Sequence, residues 1–170
     1  MKPYDNKVTW KALIADVQKV VFRRIRKASK VPLSEVLSTT FNQKLPGVYL
    51  IYDLSGEILY VGSSADVKGR LWQHLNPDVR NSLIERLAKD ELLGVVGTPE
   101  FQAAVEALRK RMFETFKVTI LDATDGFGYS PRGVLETLVQ WTFKPKYGCW
   151  PAPWKKDGWV PIQESLQEAQ

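Results

Sequence analysis

The sequence is poor in the residues and segments that mark several large classes of protein. Its single cysteine, Cys149, excludes both an internal disulfide framework and a cysteine-rich zinc site. No apolar run approaches the roughly 20 residues of a membrane-spanning helix, and the first residues lack the apolar core of a secretory signal. We therefore expect a cytoplasmic protein with no membrane partner.

Length and composition fit one globular domain. The chain has 170 residues, of which 44% are hydrophobic. A domain of this size buries roughly 70% of the surface of its unfolded chain and needs no disulfide or structural metal. There are no internal repeats or low-complexity tracts. We therefore expect a single domain over residues 1–170.

Positive charge is concentrated at the start of the chain. Residues 1–32 hold nine basic and two acidic side chains, a net +7, so the formal net charge of +5 leaves −2 for the remaining residues. This asymmetry is typical of proteins with a polyanionic partner. A solvated basic helix would have the same composition.

The basic segment is predicted to form a helix from about Thr9, its N-cap, to Ser29, ending before Pro32. At 100° per residue, an apolar side separates from a cationic side. The apolar side comprises Trp10, Leu13, Ile14, Val17 and Val21, and the cationic side comprises Lys19, Arg23, Arg26, Lys27 and Lys30. A nucleic-acid backbone would fit the cationic side, but calmodulin targets and membrane-surface helices have a similar pattern.

The segment "GVYLIYDLSGEILYVGSS", residues 47–64, is predicted to form a β-hairpin. Its halves are rich in aromatic and β-branched residues, and "DLSG" supplies turn residues. Because side chains alternate along a strand, a loop of two or four residues would place Tyr49 and Tyr60 on one face. A loop of three residues would place them on opposite faces.

A helix is predicted to follow the hairpin. It would begin near Ser63 or Ser64, with Ser63 and Asp66 spaced like a capping box. Arg70 and His74 are four residues apart, so one helical face presents both side chains. The apolar line of this helix is Val67, Leu71 and Leu75.

The remaining elements are predicted from the same signals. Two amphipathic helical segments cover about 79–93 and 99–115, "FKVTILDA" is a third strand, and a helix runs from Ser130 and Pro131 to about Phe143. The tail, residues 149–170, holds three of the six tryptophans. We favour packing of this tail on the core over stacking on bases, since tryptophan usually buries most of its surface.

With these elements in order, the sequence resembles the GIY-YIG nuclease family. "GVY" and "YVG" stand at the two motifs that name the family, and Arg70, His74 and Glu136 follow in the family's order. Glu136 lies in "VLETLVQWTFKPKYG", which looks like the last family motif. The resemblance covers about 45–148 and includes a helical insertion at about 76–116.

The resemblance implies a fold of the α+β class. It would be a small α/β sandwich, in which helices flank a three-stranded, mostly antiparallel sheet. The N-terminal helix, residues 1–32, and the tail would be additions to this core.

The resemblance also implies a divalent-metal-dependent DNA endonuclease with Tyr49, Tyr60, Arg70, His74 and Glu136 as catalytic residues. Glu136 would bind Mg²⁺ or Mn²⁺, and Arg70 would stabilise charge on the phosphate. Tyr49 would help to deprotonate the attacking water, which needs an environment that lowers its pKa. Tyr60 and His74 would orient phosphate or water, or relay the proton. Taken singly, ordinary packing or solvent exposure would also explain these residues.

Two positions depart from the family pattern. Many members have Asn where this chain has Gly148, and a Lys often follows the second motif where this chain has Ser63. Lys68 is the basic residue nearest to that second position.

The absence of a separate DNA-binding domain makes the chain most similar to the compact restriction endonucleases of the family. The partner would be double-stranded DNA, cut on both strands by a homodimer or by two sequential nicks. The alternatives are a repair or mobile-element nuclease of the family, and a non-catalytic nucleic-acid-binding or inhibitor protein that retains the fold. Residues expected to contact DNA are Lys19, Arg23, Arg26, Lys27, Lys30 and Lys68.

Overall fold

A computed structural model describes residues 10–40, 44–79, 82–91, 98–122 and 131–147. Within these ranges the chain forms six helices and four strands. The helices are α1 (Trp10–Lys27), α2 (Leu33–Ser38), α3 (Val67–His74), α4 (Leu83–Glu91), α5 (Pro99–Thr115) and α6 (Pro131–Phe143). The strands are β1 (Val31–Pro32), β2 (Gly47–Tyr52), β3 (Ile58–Ser64) and β4 (Lys117–Asp122).

The strands form one antiparallel sheet in the order β1-β4-β2-β3. The α+β class is thereby confirmed, although the expected three strands were one too few. The additional strand, β1, has only two residues. One of them is Pro32, which cannot donate to a ladder and is confined to sheet edges. So short a strand leaves no alternating pattern in the sequence.

Helices cover both faces of the sheet. Val48, Leu50 and Tyr52 of β2 pack with residues of α1 and α6. Tyr49 and Ile51, which alternate with them, pack with residues of α2, α3, α4 and α5. All six residues of β2 are therefore buried, and a strand buried on both faces reads as a continuous apolar run.

The helices of the predicted insertion pack on the Tyr49 face of the sheet. The bounds of α5 agree with the segment expected at 99–115, whereas α4 begins four residues later than the segment expected at about 79–93. The short helix α2, which the sequence analysis did not predict, packs against α5. The buried residues that α4 and α5 contribute to this core are Leu83, Ile84, Leu87, Ala88, Val105, Leu108 and Met112.

On the other face, α1 packs against α6. Val21 and Ile25 are buried, Val17 is partly buried, and the Phe22 ring stacks on Phe143 with a centroid distance of 5.6 Å. Within the described residues, no helix is long and apolar enough to span a membrane. Several expectations concern residues outside the described ranges or side chains: the caps at Thr9 and Ser130, the side chains of Trp10, Leu13 and Ile14, Gly148, and the tail 149–170.

Candidate active site

A bulge in the hairpin decides which face Tyr60 occupies. The connection between the paired residues Tyr52 and Ile58 has five residues, an odd number that would put Tyr49 and Tyr60 on opposite faces. Beyond this pair the register shifts by one residue, so that Tyr49 pairs with Gly62. An extra residue in one strand restores the common face. The two phenols therefore lie on the same side of the sheet.

The glycines of the two motifs are explained by close approach. A Cβ at Gly62 would lie 2.5 Å from Tyr49 Oη and 2.7 Å from Tyr60 Cε1. A Cβ at Gly47 would lie 2.6 Å from the carbonyl oxygen of Leu121 on β4. All three distances are well below van der Waals contact, so only glycine leaves room for the tyrosine rings and for β4.

Tyr49, Tyr60 and His74 form a buried cluster between the hairpin and α3. Tyr49 Oη lies 2.7 Å from His74 Nε2. The His74 ring centroid is 4.5 Å from that of Tyr60 and 5.7 Å from that of Tyr49, and the two phenol rings are 6.0 Å apart. Three of the residues singled out from the sequence are thus brought into direct contact.

The backbone of α4 fixes the proton on the His74 ring. The Leu83 N–H donates to His74 Nδ1 at 3.1 Å, so in the neutral ring Nε2 carries the proton and donates to Tyr49 Oη. Burial, then the positive charges of Arg70 and Arg86, lower the pKa of His74 from 6.5 to about 3. At neutral pH His74 is therefore an uncharged donor to the Tyr49 oxygen.

Arg70 lies beside both phenols and is the member of this group that reaches solvent. Burial would lower the pKa of Arg70, but the neighbouring Tyr49 and Tyr60 raise it overall. For Tyr49, burial and then Tyr60 raise the pKa above 10.0, while Arg70 acts in the opposite sense. Overall the pKa of Tyr49 is raised, whereas a role in deprotonating water requires a lowered pKa. Arg70 is the cation that opposes the increase.

Two neutral donors hold Glu136 on α6. Ser63 Oγ donates to Oε2 at 2.6 Å, and Gln140 Nε2 donates to Oε1 at 3.2 Å. The charge of Glu136 adds to the raised pKa of Tyr49, which puts this carboxylate within electrostatic range of the phenol. Within the described part of the chain, no Lys or Arg forms an ion pair with Glu136.

The Glu136 carboxylate and its surroundings fit a hard divalent cation. The described ranges contain no group of three or more His, Cys, Asp or Glu side chains that could enclose a metal. Mg²⁺ does not need such a cage, since it is commonly bound by one or two carboxylates, substrate phosphate and several waters. A carboxylate whose charge is not neutralised by an ion pair is suited to this kind of site.

Two local predictions were wrong. Ser63 does not cap α3: Asp66 is the N-cap and accepts from the Gly69 N–H at 3.0 Å, which leaves the Ser63 hydroxyl to Glu136. The sequence also predicts that Val134, Leu135 and Leu138 form the apolar side of α6, yet Val134 is 64% exposed. The sheet instead buries Val139 together with Gln140.

Sequence reasoning also missed contacts of the candidate site that depend on tertiary structure. Gln140 stands one turn after Glu136, and this i, i+4 spacing was the signal that could have found it. The Leu83 N–H left no signal, because every residue except proline carries one.

The residues expected to contact DNA lie on two elements. Those on or just after α1 are exposed, although Lys19 pairs with Asp16 at 3.3 Å and Lys30 Nζ lies 4.2 Å from the centroid of the Tyr52 ring. Lys68 on α3 donates to the Thr39 carbonyl oxygen.

Comparison with known proteins supports the resemblance. Residues 45–124 match the family model of the GIY-YIG catalytic domain. This range contains both tyrosines, Arg70 and His74, whereas Glu136 lies beyond it. This part of the chain is thus similar to the catalytic domain of a class of nucleases.

Part of the chain is also similar to two curated proteins. The chain is 44% identical over 55 residues to UvrABC system protein C of Sodalis glossinidius (strain morsitans). It is 41% identical over 56 residues to UvrABC system protein C of Yersinia pseudotuberculosis serotype O:1b (strain IP 31758). The matches cover 32% and 33% of this chain but only 9% of each relative. No solved structure gives a significant match.

Stability should depend on pH through His74. Because the pKa of about 3 in the folded state lies below the ordinary 6.5, the unfolded state binds more protons between these values. Stability is therefore fully present above pH 6.5 and falls as pH falls toward 3. Between pH 6.5 and 5 the free energy of unfolding should decrease by about 2 kcal/mol. Urea unfolding at pH 7, 6 and 5 would measure this decrease.

His74 is the only histidine in the chain, so this pH range reports mainly on one side chain. The variant His74→Gln should be less stable at pH 7 but should lose the slope between pH 6.5 and 5. An equal slope in the variant and the wild type would contradict the assignment of His74 as a buried neutral donor.

Proposed function

We propose that this protein is a divalent-metal-dependent DNA endonuclease that hydrolyses phosphodiester bonds. The observation that carries the proposal is the cluster of Tyr49, Tyr60, Arg70 and His74 inside the matched catalytic domain. Glu136, on a helix outside the matched range, lies within electrostatic range of the same cluster. A merely structural arrangement would not require a carboxylate, a guanidinium and two phenols at one place.

Each side chain has a role that follows from its contacts. Arg70, which reaches solvent, would donate charge-assisted hydrogen bonds to the phosphate and stabilise its developing charge. The His74 N–H and the Arg70 charge would favour the phenolate form of Tyr49, the candidate base, against the burial and the Tyr60 charge that raise its pKa. The Tyr60 ring packs against His74 and holds it in place. A divalent cation, Mg²⁺ or Mn²⁺, bound by Glu136 would neutralise charge on the phosphate and the leaving oxygen.

We further propose that the enzyme is of the restriction type and acts on double-stranded DNA, as a homodimer or by sequential nicks. The packing of α1 supports this compact arrangement. Phe22 of α1 stacks on Phe143 of α6, the helix that carries Glu136. A basic surface is therefore attached directly to a helix of the candidate site, and no linker between them is needed.

The similarity to UvrABC system protein C favours a second candidate, a repair-type nuclease that acts as one component of a multiprotein system. Digestion of plasmid DNA tests both candidates. The restriction-type proposal predicts discrete fragments with Mg²⁺ or Mn²⁺ and none with EDTA. Cleavage of damaged plasmid alone would support the second candidate. Retained DNA binding without cleavage in either metal, on either plasmid, would indicate a non-catalytic binding protein.

Removal of the basic surface of α1 should weaken binding to all DNA sequences alike. If Lys19, Arg23, Arg26 and Lys27 all contact phosphates, their replacement by Ala should flatten the slope of log K against log salt by roughly 3–4 units. Fluorescence anisotropy with labelled duplexes between 50 and 300 mM salt would measure the slope.

A matched control for this variant removes four basic residues that are ion-paired in the structure. Their replacement changes the net charge equally, but all four have a carboxylate partner, whereas the α1 set includes one such pair, Lys19 with Asp16. The control residues are Lys89, Arg109, Lys110 and Arg111. An equal change of slope in both variants would show that net charge, rather than the α1 surface, governs DNA binding.

A further inference from the structure

Gln140 is a buried polar side chain that links α6 to the sheet. It is only 4% exposed, and its Nε2 donates both to the Val61 carbonyl oxygen at 3.2 Å and to Glu136 Oε1 at 3.2 Å. Burial of an amide is costly unless it is hydrogen-bonded. The position of the Gln140 amide is therefore determined by β3 on one side and by Glu136 on the other.

Ser63 provides the second fixed point. Ser63 lies two residues after Val61 on β3, so the two residues are on the same face of the strand. Its hydroxyl donates to the other carboxylate oxygen, Oε2, at 2.6 Å. Glu136 is therefore held at both oxygens by groups anchored on one strand, which restricts the rotation of its carboxylate.

Both donors are neutral, which is significant for a cation site. A charged donor such as an ammonium group would form an ion pair with the carboxylate and compete with a metal. A hydroxyl and an amide orient the carboxylate without neutralising it. Each carboxylate oxygen has two acceptor positions, so one on each oxygen stays available after these hydrogen bonds form.

We propose that Gln140 and Ser63 are positioning residues that hold the Glu136 carboxylate in the orientation for binding a divalent cation. The inference rests on the proposed function, in which Glu136 binds the metal. Groups that orient metal ligands typically contribute 10–100-fold to metal affinity.

Metal binding to the full-length protein without DNA tests this proposal. Titration with Mn²⁺, followed by the electron paramagnetic resonance signal of the free ion, would give the Kd of each variant. Gln140→Met, which keeps the approximate volume but removes the donor, and Ser63→Ala should each raise the Kd by about 10-fold or more. The cleavage rate of both variants should recover as the Mn²⁺ concentration is raised, because the substitutions affect metal occupancy rather than the reaction itself.

A matched control and a second variant keep the test decisive. Thr142→Ala removes a hydrogen bond of α6 that goes to the Leu138 carbonyl oxygen and not to Glu136, and its Kd should equal that of the wild type. Because Gln140 is buried, Gln140→Met could fail to fold. Ser63 is only partly buried, so Ser63→Ala then carries the test alone.

The outcomes separate this inference from the proposed function. If Glu136→Gln loses Mn²⁺ binding while Gln140→Met and Ser63→Ala bind like the wild type, the positioning role is overturned and the proposed function stands. If the wild type neither binds Mn²⁺ nor cleaves DNA, both are overturned. Weaker binding in the two positioning variants, with normal binding in Thr142→Ala, supports the inference.

Discussion

The variant Glu136→Gln is expected to abolish DNA cleavage while DNA affinity stays within a few-fold of the wild type. Gln has nearly the same shape and still offers one oxygen to Ser63 or Gln140, so the packing of α6 on β3 should survive. The negative charge that would bind the cation is lost. Initial cleavage rates on plasmid DNA at saturating Mg²⁺, and anisotropy binding assays in Ca²⁺ or EDTA, would separate the two effects.

Loss of one negative charge elsewhere provides the control for this variant. Glu106→Gln on α5 removes an exposed carboxylate that is paired with Arg109 at 3.6 Å. It should cleave at the wild-type rate. A Glu136→Gln protein that also cleaves at the wild-type rate would show that Glu136 is not the metal ligand, whatever the family pattern implies.

The second large effect is expected at Arg70. Arg70→Ala should reduce the cleavage rate by at least about 10²-fold, which is typical for the loss of one preorganised donor. Arg70 is the cation nearest to both phenols, where it opposes the raised pKa of Tyr49. Its removal would therefore weaken charge stabilisation on the phosphate and disfavour the phenolate together. Single-turnover cleavage kinetics would measure the effect.

Arg70→Lys should restore only part of the rate, since an ammonium group cannot reproduce the planar guanidinium fork. Lys68→Ala is a suitable comparison because it removes another basic residue from α3. If Lys68 only contacts phosphate, this change should lower DNA affinity and leave the rate of bound DNA unchanged. Full activity in both Arg70→Ala and His74→Ala would mean that α3 does not face the chemistry, and the nuclease assignment of this cluster would fail.

The two predictions depend on the sequence to different degrees. The resemblance assigned Arg70 to the site, and the sequence adds a reason of its own, because Arg70 lies four residues before His74 on a helix whose apolar line was correctly identified. Val67, Leu71 and Leu75 are all buried. Glu136 was placed only by the resemblance, and its helical surroundings were partly misassigned because Val134 is exposed.

By itself, the sequence determined the hairpin, the helix that follows it, the last strand and the order of the site residues. These features arise from signals that act over a few residues: alternation in strands, the 3.6-residue period in helices, and turn chemistry. A local signal of this kind also explains why the boundaries of α4 and α5 were close to those observed. The predicted cap of α3 was wrong because Ser63 and Asp66 are both suitable N-cap residues. Only the contact of Ser63 with the distant Glu136 distinguishes them.

Tertiary structure alone decided how the site residues meet. The bulge that returns Tyr60 to the face of Tyr49 has no sequence signature, since loop length and bulge act together on the register. The proton position on His74 depends on a backbone N–H nine residues away in the chain. The orientation of the Glu136 carboxylate depends on a hydrogen bond from Ser63, which is 73 residues away in the chain. Contacts across such separations form only when the sheet and its helices pack, so no local pattern can encode them.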